Sequence, residues 1–448
     1  MIDVAIQSSR VITNSGIRKA NVLLYDGKIA GIEEQLPQGS FPVIDVGNKV
    51  VMAGIVDPHV HINEPGRTEW EGFDTATRAA IAGGVTTLVE MPLNASPVTT
   101  TVSAYKLKIK AAEKNLHTNC GFWGGIIPGN EKEIEPLAAA GVLGFKAFLT
   151  DSGIDEFPPV SEADLHKAMP LIARHGLPLL IHCELSGRLS PALSSDATRL
   201  RSYQHYLQSR PGKWEDDAIA LAIRLCEKYN CRTHIVHLSS ASSIPQIIEA
   251  KKNKLPLTVE TCQHYLYFND NDIADGQTQF KCAPPIRNRE NKKQLWQALK
   301  NGVIDFVATD HSPAPPEMKE LSSGNFMKAW GGIASLQFSL PALWTPAMKQ
   351  GCAIEDLARW LSEHPAKLAG VEDRKGMIKR GYDADLVIWD PDDRFVVKEN
   401  MILHKHPLTP YLQEELTGVI SQTWLNGQQV YDEGKFLNLN RGKLIKGD

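Results

Sequence analysis

The sequence lacks the features that mark membrane, secreted and nucleic-acid-binding proteins. No run approaches the roughly 18 consecutive apolar residues of a membrane span, and the start has no basic stretch followed by an apolar segment. Lysine and arginine number 48 against 52 acidic residues, so the net charge of -4 gives no general attraction to phosphate backbones or anionic lipids. We therefore expect a cytoplasmic protein with no nucleic-acid or membrane partner.

Cysteine is also sparse and unpatterned. The 7 cysteines show no CxxC spacing, and an odd number without a secretion signal indicates reduced thiols rather than a disulfide framework. Hydrophobic residues make up 42% and charged residues 22%, which is ordinary for a globular protein with a sizeable core. A chain of 448 residues is long enough for one large domain and a smaller one.

Apolar runs alternate with amphipathic helical stretches through the middle of the chain, a pattern typical of repeated β/α units and a parallel sheet. Eight such runs can be counted, at residues 50–56, 86–91, 121–127, 144–149, 177–181, 233–236, 257–260 and 304–308. Eight parallel strands are the number that closes a TIM barrel. The sequence therefore predicts an α/β fold, a TIM-like (β/α)8 barrel with its active site at the carboxyl ends of the strands.

Both ends of the chain are strand-like. Residues 1–50 contain short strands with a hairpin signal at Asp26-Gly27, and strand patterns return after a helical stretch at 355–369. Because the two β-rich ends flank the barrel, we expect them to form one small β-sandwich, although periodicity alone does not prove that they pair. The expected division is 1–50 and 371–448 for the β-sandwich and 51–370 for the barrel.

Two histidines end the first predicted barrel strand. Alternate residues on a strand point to the same side, so His59 and His61 can present two imidazoles to one cation. An HxH pair also occurs as two ordinary polar residues at a strand end. The choice between these interpretations depends on the ends of the other strands.

The fourth predicted strand contains a lysine, Lys146, inside an otherwise apolar run where an ammonium is costly to bury. Its side chain can reach solvent along its stem or pair with a nearby carboxylate. Alternatively, burial removes its proton, and the neutral amine reacts with carbon dioxide to give a carbamate that bridges two cations.

Three further ligand-type residues end predicted strands: His182, His237 and Asp310. A single histidine in such a place is more often a core residue, and an aspartate there is readily a cap for the next turn. Six ligand-type residues at the ends of five strands, on the face where barrel enzymes keep their chemistry, are hard to produce by accident. Together they predict a metal-dependent enzyme.

This pattern resembles the amidohydrolase superfamily, in its cyclic-amidase branch of dihydroorotases, hydantoinases and allantoinases, over nearly the whole chain. The resemblance implies that His59, His61 and Asp310 hold one divalent metal ion, His182 and His237 hold a second, and Lys146, as N6-carboxylysine, bridges both. Zinc is the expected metal, although such sites also accept manganese, cobalt or nickel. The resemblance further implies a metal-bridging hydroxide as the nucleophile, Asp310 as the catalytic proton shuttle, and a homotetramer.

Within this branch the sequence is most similar to the allantoinases. The matching segments are 59–67, 90–94, 281–287, 310–319 and 328–333. The resemblance implies hydrolytic opening of the hydantoin ring of allantoin to allantoate, a step of purine and ureide nitrogen catabolism. Asn63 stands where dihydroorotases carry an arginine for a substrate carboxylate. Asn63, Asn94 and Ser312 are candidate contacts for a neutral ureido group, although each is also a common turn former or cap.

Two alternative functions differ from this hypothesis in kind. A hydantoinase or dihydropyrimidinase would keep the same metals and change only the substrate. A noncatalytic interaction protein of the same fold would have no need of the six ligand-type residues, so their presence disfavours it. Two other histidines are not expected to be ligands: His264 is interpreted as a core residue, and His311 should point away from Asp310 on an extended strand.

Overall fold

A computed structural model of the protein describes residues 2–186 and 196–447. The strands are β1 (Val4–Thr13), β2 (Gly16–Tyr25), β3 (Lys28–Glu33), β4 (Val43–Asp45), β5 (Val50–Ala53), β6 (Ile55–Val60), β7 (Val85–Glu90), β8 (Asn119–Phe122), β9 (Gly124–Gly125), β10 (Phe145–Phe148), β11 (Leu179–His182), β12 (Thr233–Ile235), β13 (Leu257–Cys262), β14 (Phe306–Ala308), β15 (Leu386–Val396), β16 (Glu415–Leu425), β17 (Gln428–Asp432) and β18 (Lys435–Phe436). The α-helices are α1 (Phe73–Ala82), α2 (Val102–Ala112), α3 (Ile134–Ala140), α4 (Glu162–Arg174), α5 (Ala197–Arg201), α6 (Tyr203–Ser209), α7 (Gly212–Tyr229), α8 (Ile244–Lys252), α9 (Gln263–Tyr267), α10 (Arg289–Lys300), α11 (Ser339–Lys349), α12 (Ile354–Ala358) and α13 (His364–Leu368).

Strands β6 to β14 form the parallel barrel. β6, β7 and β8 pair in that order, and β9 to β14 pair in a second series. β8 and β9 are one stretch interrupted at Trp123, of which the first part pairs with β7 and the second with β10. At the other side, Val60, the last residue of β6, bridges to His311 after β14, and the His61 amide donates to the His311 carbonyl at 2.8 Å. The predicted TIM-like barrel is confirmed.

The first predicted barrel strand, residues 50–56, is wrong in its first half. β5 pairs with β1 and β15 in the terminal sheet, whereas β6 pairs with β7 in the barrel. The two strands meet at Gly54, where an added Cβ would lie 2.2 Å from Oγ1 of Thr86, so only glycine allows this close approach. Both halves are apolar and buried, and therefore hydrophobic patterning could not reveal the break.

Strands from both chain ends form one nine-stranded sheet in the order β18-β17-β16-β15-β5-β1-β2-β3, with β4 beside β1. The expected pairing of the two ends is thus confirmed, because β5 from the first part of the chain lies between β1 and β15. We propose that the chain divides into domains near the expected boundaries, 1–50, 51–370 and 371–448, with residues 50–53 assigned to the terminal sheet.

The barrel strands are buried on both faces, as parallel strands covered by helices must be. β6, β7, β10 and β11 contain only buried residues. This arrangement leaves the carboxyl ends of the strands as the place where polar side chains converge. The seven cysteines are all buried and unpaired. Within residues 2–186 and 196–447, no helix has the length and apolarity needed to cross a membrane.

Candidate metal centre and its cavity

The ligand-type side chains predicted from the sequence meet at the carboxyl ends of the barrel strands. Nε2 of His59 lies 3.1 Å from Oδ1 of Asp310, and Nε2 of His61 lies 3.4 Å from the same oxygen. The ring centroids of His182 and His237 are 4.6 Å apart, and those of His59 and His237 are 5.4 Å apart. His59, His237 and Asp310 each offer one ligand atom, and these three atoms lie within 4.8 Å of one another. The three groups could therefore hold a cation.

Lys146 lies in the same cluster, and neither access to solvent nor a hydrogen-bonded partner explains a lysine at this position. Its side chain is fully buried, and its Nζ has no hydrogen-bond partner among the residues that the structure describes. Nζ lies 5.0 Å from the ring centroid of Phe148, which stacks on His182. Burial lowers the pKa of Lys146 to about 8. The side chain therefore neither reaches solvent nor forms an ion pair.

Three of the four histidines in the cluster favour the neutral form that metal binding requires. Burial lowers the pKa of His61 to about 4 and also lowers the pKa values of His182 and His237. His59 differs: burial opposes its charged form, but the carboxylates of Glu260 and Asp310 raise its pKa to about 9. The cluster thus attracts positive charge at the position between His59 and Asp310.

Two of the candidate ligands have unusual backbone conformations. His237 follows β12 with a φ of 38°, and Asp310 follows β14 with a φ of 45°, both in the left-handed region. Such conformations cost about 1–3 kcal/mol each and persist only where the surrounding structure imposes them. The strain turns both side chains towards the cluster instead of letting the strands continue.

Sequence reasoning missed the carboxylates that orient the histidines. Glu260, within β13, is fully buried, contacts Nδ1 of His59 and lies 3.1 Å from Nε2 of His234. Glu184 lies 2.7 Å from Nε2 of His182 and accepts a hydrogen bond from Arg210 at 3.0 Å. Glu260 carries the same signal as Lys146, a charged side chain within an apolar run, and this signal could have identified it.

A cavity of about 400 Å³ opens beside the cluster, and its walls include the four histidines and Asp310. Of the three candidate substrate contacts, Asn94 and Ser312 line this cavity and Asn63 does not. Asn63 is fully buried with a φ of 67°, and its amide donates to the Pro313 carbonyl at 3.3 Å, which is the behaviour of a turn former. The amide nitrogen of Asn94 lies 3.4 Å from Nδ1 of His61.

The two other histidines lie outside the cluster, as expected. Nδ1 of His311 accepts a hydrogen bond from the Ser335 amide at 3.1 Å, and its Nε2 lies 3.4 Å from Glu71. His264 is fully buried with its ring against Tyr265 and is not part of the cavity wall. Neither belongs to the group of ligand atoms that lie within 4.8 Å of one another among the described residues.

Comparison with known proteins supports the fold and identifies the family. The model of the amidohydrolase family matches residues 50–430. An allantoinase from Streptomyces avermitilis is 44% identical over 447 residues, covering 99% of this chain and 98% of that protein. An allantoinase from Arabidopsis thaliana is 43% identical over 457 residues, covering 98% and 90%. Among solved structures, the L-hydantoinase (dihydropyrimidinase) from Arthrobacter aurescens has a TM-score of 0.92 and 31% identity, with 100% of both chains covered.

Proposed function

This chain belongs to the amidohydrolase family, and on that premise we propose that it hydrolyses the hydantoin ring of allantoin to give allantoate. The observation that carries this proposal is the identity of 43–44% to bacterial and plant allantoinases over nearly the full length. The chain is accordingly an enzyme, a cyclic amide hydrolase with a small-molecule substrate. The fold of the L-hydantoinase favours a second candidate activity, the opening of simpler hydantoins at the same centre.

Metal ions fit the donor set of the cluster. Neutral imidazoles and a carboxylate are ligands for divalent transition metals, and Nδ1 of His237 and Nζ of Lys146 are buried polar atoms with no hydrogen-bond partner among the described residues. The assignment that we propose is one ion on His59, His61 and Asp310 and one on His182 and His237, with Lys146 between them. Zinc is the proposed metal, and manganese, cobalt and nickel suit the same ligands.

Lys146 is proposed to act as a carbamate. Its amine nitrogen attacks the carbon of carbon dioxide, a nitrogen–carbon bond forms, and one proton is released, leaving two oxygens that share a negative charge. Complete burial and the lack of a hydrogen-bond partner for Nζ among the described residues support this role, because burial disfavours an ammonium there even though Glu260 and Asp310 partly offset that cost.

Asp310 is placed to move a proton during hydrolysis. Metal ions bound at this centre would lower the pKa of a water molecule and polarise the ring carbonyl. Asp310 accepts the proton that the attacking water loses and returns it to the ring nitrogen as the carbon–nitrogen bond breaks. Its carboxylate lies within 3.4 Å of the two histidines that end β6 and faces the cavity, so it can reach both water and substrate.

We propose a homotetramer, from the resemblance of the sequence to cyclic amidases, and a cytoplasmic location. Light scattering and fractionation of cells that make the protein would check them.

The substrate is tested by a side-by-side assay on allantoin, hydantoin, dihydrouracil and dihydroorotate. Of the cations in the cavity wall, Arg210 is engaged by Glu184, Lys281 by backbone carbonyls, and Lys328 is exposed. The carboxylate of dihydroorotate would therefore lose water without a matched buried cation. Hydantoin lacks the ureido arm and leaves polar groups of the wall unpaired. We expect kcat/KM for allantoin to exceed that for each other ring by about tenfold or more. Faster hydrolysis of hydantoin would assign the second candidate activity instead.

Glu260 should control metal affinity through His59. Glu260→Gln removes the negative charge that holds the imidazole, and loss of such a partner typically costs about 10- to 100-fold in metal affinity. Titration with a chelator, followed by metal analysis, measures the change. Glu71→Gln is the matched control, because Glu71 is an equally buried carboxylate beside His311, which is not a proposed ligand. Equal metal retention in both variants would remove Glu260 from this role.

A further inference from the structure

One wall of the cavity is an irregular segment, residues 327–332, which we call the wall segment. All six of its residues line the same cavity as the histidines, and none of them is in a regular helix or strand. An irregular segment has no ladder of backbone hydrogen bonds, so its buried carbonyl groups need other donors. The position of this wall therefore depends on whatever supplies those donors.

Two lysine side chains supply them. Nζ of Lys281 donates to the carbonyls of Met327, at 3.3 Å, and Ala329. Nζ of Lys319 donates to the carbonyls of Trp330 at 2.9 Å and Gly332 at 2.7 Å. Four carbonyls of the wall segment are thus held by two ammonium groups. Lys319 also donates to the carbonyl of Lys281 at 3.3 Å, which joins the two anchors.

Neither lysine is explained by ion pairing or by solvent. Lys281 is 9% exposed and Lys319 is 4% exposed. Neither forms an ion pair with a carboxylate in the part of the chain that the structure describes, and the charged groups near Lys281 are the cations of Lys319 and Arg210. Burial lowers the pKa of both lysines to about 7, whereas the carbonyl oxygens favour the charged form. Packing alone would be served better by an apolar side chain.

The wall segment in turn fixes cavity groups on both of its sides. An added Cβ at Gly332 would lie 2.4 Å from the carbonyl oxygen of Ser312, so the two backbones are in close contact there. The ring of Trp330 lies 3.2 Å from the position of a Cβ on Gly153 and packs edge-on against Trp70. Because Ser312, Gly153 and Trp330 all line the cavity, a shift of the segment would change its shape.

We propose that Lys281 and Lys319 are positioning residues for substrate selectivity, which act by fixing the backbone of the wall segment. The identity of the substrate in this inference rests on the proposed function. The segment contains none of the proposed metal ligands but lines their cavity, which leaves it available to contact parts of a bound molecule other than the amide that is cleaved. For allantoin that part includes the ureido arm. The metals and Asp310 thus provide the hydrolysis, and the two lysines hold the wall that distinguishes one cyclic amide from another.

The test compares Lys281→Met and Lys319→Met in the metal-loaded enzyme, with Lys319→Gln as a variant that keeps an amide donor if the methionine protein does not fold. We expect unchanged metal content and faster hydrogen exchange of the amides around 327–332. The ratio of kcat/KM for allantoin to that for hydantoin should fall by about tenfold or more, mainly through a higher KM for allantoin, because small displacements of positioning groups are costly. Lys319→Gln should retain part of the ratio.

Lys292→Met is the matched control. Lys292 also donates its ammonium to a backbone carbonyl, that of Tyr267 at 2.9 Å, but it lies outside this cavity. The Lys292→Met variant should leave the ratio of kcat/KM for allantoin to that for hydantoin unchanged. A ratio within about twofold of wild type in Lys281→Met and Lys319→Met would overturn the inference, and so would unchanged hydrogen exchange of the wall segment. If the wild-type enzyme failed to open allantoin, the proposed function would be lost, while the exchange measurement would still decide whether the lysines hold the segment.

Discussion

Asp310→Asn is expected to lower kcat for allantoin by about 100- to 10,000-fold or more, the usual cost of losing a general acid–base group. Asparagine keeps the size of the side chain and one oxygen that can bind a metal, but it cannot accept a proton from water. In the native cluster, burial opposes the negative charge of Asp310, yet His59 and its other neighbours hold the pKa of the carboxyl well below its usual range. The wild-type group is therefore an ionised acceptor.

Metal analysis of the same samples separates the two roles of Asp310. Retained metal with collapsed turnover would place the defect in proton transfer, as we expect. Loss of metal in proportion to activity would indicate that Asp310 acts as a ligand alone. A fully loaded Asp310→Asn enzyme that turned over near the wild-type rate would show that another group carries the proton.

Lys146→Ala is expected to lose bound metal together with activity. The missing bridge removes part of the charge stabilisation that bound cations supply, which amounts to several kcal/mol and thus to about 100- to 1,000-fold or more in rate. Acetate or propionate added to this variant should restore part of both properties, because a carboxylate can occupy the space left by the side chain and supply two oxygens. Activity and metal content at increasing acid concentration provide the measurement.

The chemical class of the rescuing molecule is the critical comparison. Ethylamine would replace an ammonium, so rescue by ethylamine instead of by the acid would contradict a carbamate at Lys146. The acids should not restore His182→Ala, whose missing group is an imidazole. A Lys146→Ala protein with normal metal content and turnover would exclude any bridging role for this side chain.

The positions of the proposed ligands could be predicted because each one ends, or interrupts, an apolar run. His59 lies near the end of the buried strand β6, His182 is the last residue of β11, and His237 follows β12. In a parallel barrel the carboxyl ends of all strands meet at one face. The order of the strands therefore determines that these side chains converge. Their distances, in contrast, depend on left-handed turns at His237 and Asp310 that no periodicity records.

Which of the predicted substrate contacts lines the cavity could not be predicted from the sequence. Asn63 and Asn94 have nearly the same φ, 67° and 68°, yet only Asn94 belongs to the cavity wall. A left-handed turn directs each side chain, and whether it reaches the cavity depends on the neighbouring strand and on loops far along the chain. Pro313, whose carbonyl accepts a hydrogen bond from the side-chain amide of Asn63, is 250 residues away in sequence.

The sequence by itself predicted the class of fold and the candidate ligand side chains, because these follow from local periodicity and from residue type at strand ends. The pairing of the two β-rich chain ends was an expectation that the observed strand order settled. Only the tertiary structure decided the break between β5 and β6 and the contact of Glu260 with His59. It also decided the hydrogen bonds from Lys281 and Lys319 to the carbonyls of the wall segment. Each of these depends on contacts between residues distant in sequence. A buried lysine or glutamate is energetically acceptable only beside groups that satisfy it, and those groups come together only when the chain folds.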